Sequence, residues 1–209
     1  MIATEAEARD FVAARCDSEG MRKLDQLAAM LAEENDHQNL VSRSSLSQLW
    51  LRHFADSAQL LDHVSRETAD WIDLGTGAGF PGLVIACMRP GFSVTMVESR
   101  SKRIAWLDRA FAALGLANAR VAGSPVQAVP SFPAEVISAR AFAPMDRLLN
   151  LSARFSTSDT LWVLPKGRSA AQEWQSLPEP VRRMFHVKQS QTDENSGILV
   201  GYGKAEIRS

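Results

Sequence analysis

A glycine-rich segment between an apolar run and a helical run most strongly constrains how this 209-residue chain can fold. The segment reads Asp73-Leu-Gly-Thr-Gly-Ala-Gly-Phe-Pro-Gly82, with glycines at positions 75, 77 and 79. Glycine adopts positive φ angles at little cost and has no Cβ, so the backbone can turn sharply there and approach a ligand closely. A strand, a glycine-rich turn and a helix in this order are typical of nucleotide-type ligand sites in α/β proteins.

Short apolar segments alternate with helical segments from Trp71 onward. Helices are predicted over residues 82–88, 102–114, 145–155 and 170–176, and the strand-like segments between them are WIDL, SVTMVE, ARVAG, EVISARA and TLWVLPKG. This alternation predicts a parallel sheet covered by helices on both faces. The tail instead contains MFHVKQSQ, the polar turn TDENSG and ILVGYGKAEI, which predict a hairpin. We therefore expect an α/β fold whose mostly parallel, seven-stranded sheet ends in an antiparallel hairpin.

The charge of the chain is distributed unevenly. Residues 1–70 contain 7 Lys and Arg against 13 Asp and Glu, whereas residues 71–209 contain 16 against 11. The second part could bind a polyanion, or the asymmetry could reflect solvated helix faces. The pattern of the sequence also changes, from helical periodicity in the first part to alternating strands and helices in the second. Together with the charge difference, this change predicts an N-terminal helical extension over residues 1–67 and a second domain over residues 68–209. The two are expected to pack as one compact unit.

Helical patterns fill the N-terminal extension. Thr4 followed by Glu7 has the capping-box pattern, which predicts the start of a first helix. Apolar residues at helical spacing from Met21 to Leu31 indicate a second helix, which the polar stretch EENDHQN interrupts. A third, long amphipathic helix is expected to follow a cap at position 44 or 45, with an apolar stripe of Leu46, Leu49, Trp50, Phe54, Leu60, Leu61 and Val64.

Composition excludes several classes of protein. The chain is 45% hydrophobic and 22% charged, with 12 Gly and 9 Pro, which excludes disordered and collagenous chains. Its two cysteines, Cys16 and Cys87, are not spaced as CxxC, so the sequence indicates neither a zinc site nor a disulfide scaffold. The N-terminus lacks a basic segment followed by an apolar stretch, and no run approaches 18 apolar residues. We therefore expect a cytoplasmic protein without a membrane span.

Two cofactors fit the glycine loop, and a tight turn without a ligand is the third possibility. Residues 77–82 match the GxGxxG fingerprint, which would indicate a nicotinamide-dependent oxidoreductase. However, Asp73 and Gly75 precede that pattern, and Pro81 removes a backbone N–H where a pyrophosphate would bind. Starting the loop at Gly75 gives the form of an S-adenosylmethionine loop. Glu98, at the tip of the next strand, could then accept hydrogen bonds from two ribose hydroxyls.

Four segments carry a resemblance to a known family: NLVSRSSLSQLWLRHFADSAQLL, IDLGTGAGFPGL, ISARAFAPM and LPKG. From about Asn39 to Lys166 the chain resembles the bacterial 16S ribosomal RNA guanine-N7 methyltransferases, once called glucose-inhibited division protein B. The resemblance implies a Rossmann-like class I methyltransferase fold with S-adenosylmethionine as methyl donor, S-adenosylhomocysteine as product and no metal. It implies guanosine 527 of 16S rRNA as acceptor. The expected partner is 16S rRNA or a small-subunit particle, bound by a monomer.

The resemblance also assigns cofactor contacts to residues of this chain. Carried over by motif, these are Gly75, Phe80, Val126, Gln127 and Arg140. With the loop and strand arguments above, the predicted cofactor site comprises Asp73, Gly75, Gly77, Gly79, Phe80, Glu98, Val126, Gln127 and Arg140. Asp73 would order the ammonium group of the methionine moiety, directly or through water, and Arg140 is the candidate for reaching the guanine or its phosphate.

Several of these residues have a simpler structural interpretation. Asp73 could merely cap the following turn, and Arg140 could be a buried structural arginine. His53, on an apolar stripe, is either a packing residue or a catalytic one, and Arg52 and Asp56 have the i, i+4 spacing of a surface ion pair. The candidates for RNA contact, which could equally be solvated or turn residues, are Arg100, Lys102, Arg103 and Lys166.

The expected chemistry needs few specialised groups. Guanine N7 has an exposed lone pair and no proton, so its methylation requires no general base, and positioning would carry catalysis. The alternatives to an rRNA methyltransferase are the oxidoreductase above, a ribosome-assembly factor without turnover, and a methyltransferase acting on a small molecule or a protein.

Overall fold

The computed structural model describes residues 1–65, 67 and 69–205. These residues contain one sheet of seven strands: β1 (Asp70–Leu74), β2 (Ser93–Val97), β3 (Ala119–Ala122), β4 (Val136–Ala139), β5 (Leu161–Gly167), β6 (Phe185–Gln189) and β7 (Gly197–Tyr202). Their order across the sheet is β3-β2-β1-β4-β5-β7-β6. Strands β1 to β5 pair in parallel, and β7 is antiparallel to both β5 and β6. The predicted mostly parallel sheet with a C-terminal hairpin is thus confirmed.

Helices surround this sheet at nearly the predicted positions. The α-helices are α1 (Glu5–Ala13), α2 (Ser18–Asn35), α3 (Arg43–Leu46), α4 (Asp56–Ala58), α5 (Gly82–Met88), α6 (Ser101–Leu114), α7 (Met145–Ser152), α8 (Ala170–Ser176) and α9 (Glu179–Arg182). Trp50–Ala55 is π-helical, and the 3-10 segments are Gln59–His63, Val126–Ala128 and Ala153–Phe155. The helix predicted over residues 145–155 therefore narrows to a 3-10 turn at its end.

The sheet separates two hydrophobic cores because successive strand residues face opposite sides. Trp71 belongs to a core that also contains buried residues of α1, α2, α5 and α6. Ile72 and Leu74 belong to the other core, with Met145 and Leu148 of α7. The N-terminal helices therefore cover α5 and α6 on the first face of the sheet. None of the described helices is both long and apolar enough to cross a lipid bilayer.

The start of α1 follows the sequence prediction, whereas the third predicted helix does not. The Thr4 side chain accepts from the Glu7 backbone N–H, and the Glu7 carboxylate accepts from the backbone N–H of Thr4. The cap of the later helix is Ser42, whose hydroxyl accepts from the Ser45 N–H, and neither position 44 nor position 45 is the cap. The expected continuous helix is instead divided into α3, the π-helical segment, α4 and a 3-10 turn.

A long-range contact explains this division. The Glu5 carboxylate of α1 accepts hydrogen bonds from the backbone N–H groups of Trp50, at 3.0 Å, and Leu51, at 2.8 Å. Those two donors serve as the N-terminal donors of a new helical segment, so the helix restarts there. The partner lies more than forty residues away along the chain, so local periodicity contains no sign of the break.

Candidate functional site

The glycine loop leaves β1 with three residues in left-handed backbone conformations. Gly75, Gly77 and Gly79 have φ angles of 65°, 61° and 104°, which residues with side chains rarely adopt. A Cβ on Gly75 would lie 2.2 Å from Phe142 Cδ2, and a Cβ on Gly79 would lie 2.2 Å from Leu83 Cδ1. The loop therefore requires glycine at these two positions for both its backbone and its packing.

Asp73 lies beneath the loop and is fully buried. Its carboxylate accepts hydrogen bonds from the hydroxyls of Thr76 and Ser138 and from the Gly82 backbone N–H at 3.2 Å. Burial raises the pKa of Asp73 to about 6, although these hydrogen bonds act in the opposite direction. The sequence offered two roles for Asp73, ordering the ammonium group of a bound methionine moiety or capping the following turn. The observed contacts correspond to the cap, which connects β1 to the start of α5 and to β4.

A cavity of about 330 Å³, which we call the smaller cavity, opens where β1 meets its neighbours β2 and β4. The chain order reverses at β1, because β2 and β3 lie on one side of it and β4 and β5 on the other. Open α/β sheets bind ligands at such a switch point, outside the carboxyl ends of the strands. The cavity brings together the predicted residues Gly75, Glu98, Val126 and Gln127, and adds Phe142, which sequence reasoning missed.

Glu98 lines the smaller cavity. Its side chain is 6% exposed. Oε1 accepts from the backbone N–H groups of Ser99, at 2.7 Å, and Arg100, at 2.9 Å, and Oε2 lies 3.6 Å from Arg103 Nη1. An ionised carboxylate has about four lone-pair positions, so this anchored group retains acceptor capacity for a polar ligand.

Val126 and Gln127 belong to a short 3-10 turn that also lines the smaller cavity. The Arg154 guanidinium donates hydrogen bonds to the carbonyl oxygens of Val126 and of Gln127, the latter at 3.2 Å, and to that of Val129 at 2.6 Å. One arginine therefore fixes the backbone of the whole turn.

Three arginines give the smaller cavity a basic rim. The predicted Arg100 and Arg103 line it, together with Arg147, which sequence reasoning missed. Arg147 occupies the first turn of α7, the helix that follows β4. A basic residue in the first turn of the helix after a strand was the signal that could have identified it. Lys102 is exposed and lines neither this cavity nor the one described next.

A cavity of about 890 Å³, the larger cavity, lies beside the smaller one. Residues 141–143 line both cavities and form their common wall. Ala141 has a φ of 51°, a conformation that costs about 1–2 kcal/mol for a residue with a side chain. The wall is therefore held in place by its surroundings, since the backbone does not prefer this conformation locally.

Arg140 faces the larger cavity, whereas the sequence placed it in the cofactor site. Its guanidinium lies 2.9 Å from His53 Nδ1, 3.3 Å from the carbonyl oxygen of Arg52 and 3.4 Å from Asp56 Oδ2. The predicted pair between Arg52 and Asp56 is wrong, because Arg52 instead lies 3.5 Å from Asp193. The i, i+4 spacing was outweighed by partners from distant parts of the chain.

His53 and Phe80 pack together behind Arg140. Their rings are stacked with centroids 4.8 Å apart, and the Arg140 guanidinium carbon lies 5.3 Å from the Phe80 centroid. Phe80 is buried and lines neither cavity, so it supports the wall of the larger one. Burial, together with the positive charges of Arg140 and Arg52, lowers the pKa of His53 to about 3.

Lys166 is the least exposed of the predicted RNA-contact residues. Its side chain is 7% exposed and lies 3.0 Å from Glu173 Oε2. The ammonium group also donates to the carbonyl of Ala143 at 3.2 Å. Lys166 therefore fixes one end of the wall between the cavities. Across residues 1–65, 67 and 69–205, no cluster of three or more His, Cys, Asp or Glu side chains could hold a metal ion.

Comparison with known proteins assigns the family. A family model described as rRNA small subunit methyltransferase G matches residues 20–195. The chain belongs to this family. A relative named ribosomal RNA small subunit methyltransferase G from Erythrobacter litoralis is 59% identical over 99% of this chain and 100% of its own length. A protein of the same name from Novosphingobium aromaticivorans is 53% identical, covering 96% of this chain and 89% of its own length. Another, from Zymomonas mobilis, is 40% identical, covering 87% of this chain and 85% of its own length.

Solved structures share the fold at low sequence identity. A putative methyltransferase, yhhF, from Escherichia coli superposes with a TM-score of 0.56 at 16% identity, covering 72% of this chain and 87% of its own. A variant of MtNAS in complex with S-adenosylmethionine superposes with a TM-score of 0.55 at 14% identity, covering 96% and 78%. The fold is therefore that of Rossmann-like class I methyltransferases.

Membership in a methyltransferase family argues against the oxidoreductase alternative, and the loop geometry agrees with it. Pro81 immediately precedes α5, and the next backbone N–H, from Gly82, donates to Asp73. The donors that a pyrophosphate would need at this helix start are therefore missing or already engaged.

Proposed function

We propose that this chain transfers a methyl group from S-adenosylmethionine to guanine N7 of guanosine 527 in 16S rRNA. The observation that carries the proposal is the pair of cavities at one edge of the sheet, with residues 141–143 between them. Methyl transfer forms the bond from N7 to the methyl carbon as the bond from that carbon to sulfur breaks, and S-adenosylhomocysteine leaves. The methyl group of a donor in the smaller cavity and N7 of a nucleotide in the larger one would therefore have to come into contact past residues 141–143. Family membership supports rRNA as the substrate class, and the motif resemblance supports the nucleotide and the atom. The proposed setting is the cytoplasm, where a monomer would act on 16S rRNA or a small-subunit particle.

The residues of the smaller cavity fit S-adenosylmethionine. Its volume of about 330 Å³ lies within the usual range for small-molecule sites, roughly 300–1,000 Å³. Glu98 would accept hydrogen bonds from the ribose hydroxyls, Val126 and Gln127 would flank the adenine, and Gly75 would let the methionine moiety approach the backbone. Gly77 and Gly79 shape the loop, while Asp73 and Phe80 support it from below. When bound, the cofactor supplies a methyl group activated by its positively charged sulfur.

The larger cavity fits an extruded nucleotide. Its volume of about 890 Å³ can accommodate a nucleotide, and Arg140 offers a cation in its wall for the guanine or its phosphate. N7 bears no proton, so the described residues need only align and desolvate the base, and such alignment can supply about 7–11 kcal/mol. Because a base must leave its stack to enter a cavity, a loop of the RNA is favoured over a duplex.

The basic rim would bind the RNA backbone. Arg100, Arg103 and Arg147 surround the smaller cavity, and the exposed Lys102 follows at the start of α6. Binding of single-stranded RNA should then weaken with salt, with a logarithmic slope of about −0.7 per phosphate contacted. Arg100→Gln should reduce that slope. The control is Arg183, an exposed arginine on the C-terminal side of α9, and Arg183→Gln should leave the slope unchanged.

A methyl-transfer assay tests the proposal. Purified protein and S-adenosylmethionine with a tritiated methyl group are incubated with naked 16S rRNA or with small-subunit particles, and the labelled nucleotide is mapped by cleavage at N7-methylguanosine. Label at guanosine 527 is the expected result. Label at another atom or nucleotide would refute the assigned position, and S-adenosylmethionine binding without transfer to either substrate would favour the assembly-factor alternative.

We also infer that residues 1–67 and 68–209 unfold as one unit. Buried leucines of α2, including Leu24 and Leu27, share a hydrophobic core with Leu83 of α5 and Trp106 of α6. In urea, circular dichroism and tryptophan fluorescence should therefore show a single coincident transition. Two separate transitions would show that the extension folds independently.

A further inference from the structure

The guanidinium of Arg140 makes its shortest side-chain contact with a neutral group, although a carboxylate lies nearby. Its shortest side-chain contact, 2.9 Å, is with Nδ1 of His53, a nitrogen of an uncharged ring, whereas Asp56 Oδ2 lies 3.4 Å away. The other carboxylate oxygen of Asp56 accepts from Gln59, at 2.9 Å, and Thr192, at 3.0 Å. The closest acceptor of this guanidinium is therefore a neutral ring nitrogen bound to Nη2, while Nη1 lies at the longer distance from Asp56.

The contact with Arg140 fixes the tautomer of His53. A guanidinium donates and never accepts hydrogen bonds, so Nδ1 must be unprotonated and the proton of the neutral ring must reside on Nε2. Nε2 is buried and has no hydrogen-bond partner within the described part of the chain. An unpartnered buried donor is unfavourable for folding.

An apolar residue would avoid this unfavourable group. His53 is 7% exposed and stacks on Phe80, in an environment that also contains Phe54. A leucine in this space would bring no polar atom of its own, but it would remove the acceptor of Arg140 Nη2. Within the described residues, the hydrogen bond from Arg140 to Nδ1 is the polar contact of the His53 side chain, so what histidine adds over leucine here acts through Arg140.

We propose that His53 is a positioning residue: its unprotonated Nδ1 aims the Arg140 guanidinium at the nucleotide in the larger cavity. This inference rests on the function proposed above. His53 itself takes no proton and contacts no reacting atom; it acts through Arg140.

Two substitutions separate this role from packing. In His53→Asn the Oδ1 atom occupies nearly the position of Nδ1 and can accept from Arg140, whereas His53→Leu has a similar shape without an acceptor. We expect His53→Leu to lower kcat for rRNA methylation about 10- to 100-fold at unchanged S-adenosylmethionine affinity, in a protein whose cooperative unfolding shows that it is folded. His53→Asn should recover most of the activity. In an Arg140→Met background, the two variants should be indistinguishable.

Three outcomes would overturn the inference: full activity in a folded His53→Leu protein, equal loss in both variants, or additive effects of the position 53 and position 140 substitutions. A measurement on the unmutated protein covers the case in which the variants do not fold. In ¹⁵N spectra of histidine-labelled protein, His53 should show the Nε2–H tautomer, and the opposite tautomer would contradict the proposal. If the wild-type protein transfers no methyl group to 16S rRNA, the proposed function fails. The tautomer of His53 is measured without any activity, so its result is independent of that failure.

Discussion

The ammonium group of Lys166 lies 3.0 Å from the Glu173 carboxylate and donates to the carbonyl of Ala143. The pair is largely buried, with side-chain exposures of 7% and 24%. Lys166 was expected from the sequence as a residue that could contact RNA. It lines the larger cavity, and its contacts connect β5 and α8 to the wall between the two cavities.

Removal of one partner of this pair should destabilise the fold. Glu173→Gln leaves the Lys166 ammonium group without its counter-charge. Because both side chains line the larger cavity, the cost should be below the roughly 3–5 kcal/mol of a fully buried pair but above that of an exposed one. The exposed pair of Arg183 and Glu179 provides the control, since Glu179→Gln should change the free energy of unfolding by less than about 1 kcal/mol. Urea unfolding measures both effects. Equal effects of the two substitutions would contradict the structural role of the Lys166 pair.

Glu98 should contribute directly to S-adenosylmethionine affinity. Glu98→Ala removes a charged acceptor at the rim of the smaller cavity, so binding should weaken by about 1.5–3 kcal/mol. Titration calorimetry measures the change, and Asp108→Ala, on the exposed side of α6, serves as the control. Unchanged affinity in Glu98→Ala would remove this residue from the site.

Two glycines with nearly the same backbone conformation allow a matched test of the loop. Gly75 and Gly115 have φ angles of 65° and 61°, but a Cβ on Gly75 would lie 2.2 Å from Phe142, whereas Gly115 has open space around that position. Gly115→Ala should therefore cost only the backbone strain, about 1–2 kcal/mol. Gly75→Ala should cost more and should also weaken S-adenosylmethionine binding, because the added Cβ displaces Phe142, which lines the smaller cavity. Equal unfolding free energies with intact binding would refute this.

The buried state of His53 predicts a pH dependence of stability. Its folded-state pKa, about 3, lies below its ordinary value of 6.5, so its contribution to stability is present above pH 6.5 and is lost as pH falls towards 3. Between pH 7 and pH 5 the wild-type protein should lose about 2 kcal/mol more than His53→Asn. His186→Asn, at an exposed position of β6, controls for the loss of one histidine. Parallel pH profiles for wild type and His53→Asn would contradict the assignment.

Much of the fold could be predicted because its signals are local. The strand and helix segments after Trp71 differ in periodicity, glycine and proline mark the turns, and the capping box of Thr4 and Glu7 lies within four residues. The break in the helix before Trp50 could not be predicted. It depends on hydrogen bonds to the carboxylate of Glu5, a residue far away in the sequence that lies next to Trp50 only in the folded chain.

In the candidate site, too, the features with local signals could be predicted and the contacts between distant residues could not. Gly75 and Glu98 were found because their roles follow from their position just after a strand. Arg140 and Lys166 were recognised as charged residues near strand ends, but their partners, His53 and Glu173, come from other elements. Spacing within one helix suggested that Arg52 pairs with Asp56, and tertiary packing gave each a different partner. Sequence reasoning therefore locates chemical groups better than it predicts which groups meet.

Residues 141–143 have one side towards each cavity. Any displacement of this partition that enlarges one compartment narrows the other. If a ligand in one cavity displaces the partition, it changes the affinity of the other cavity for its ligand, and the second ligand must change the affinity for the first by the same factor.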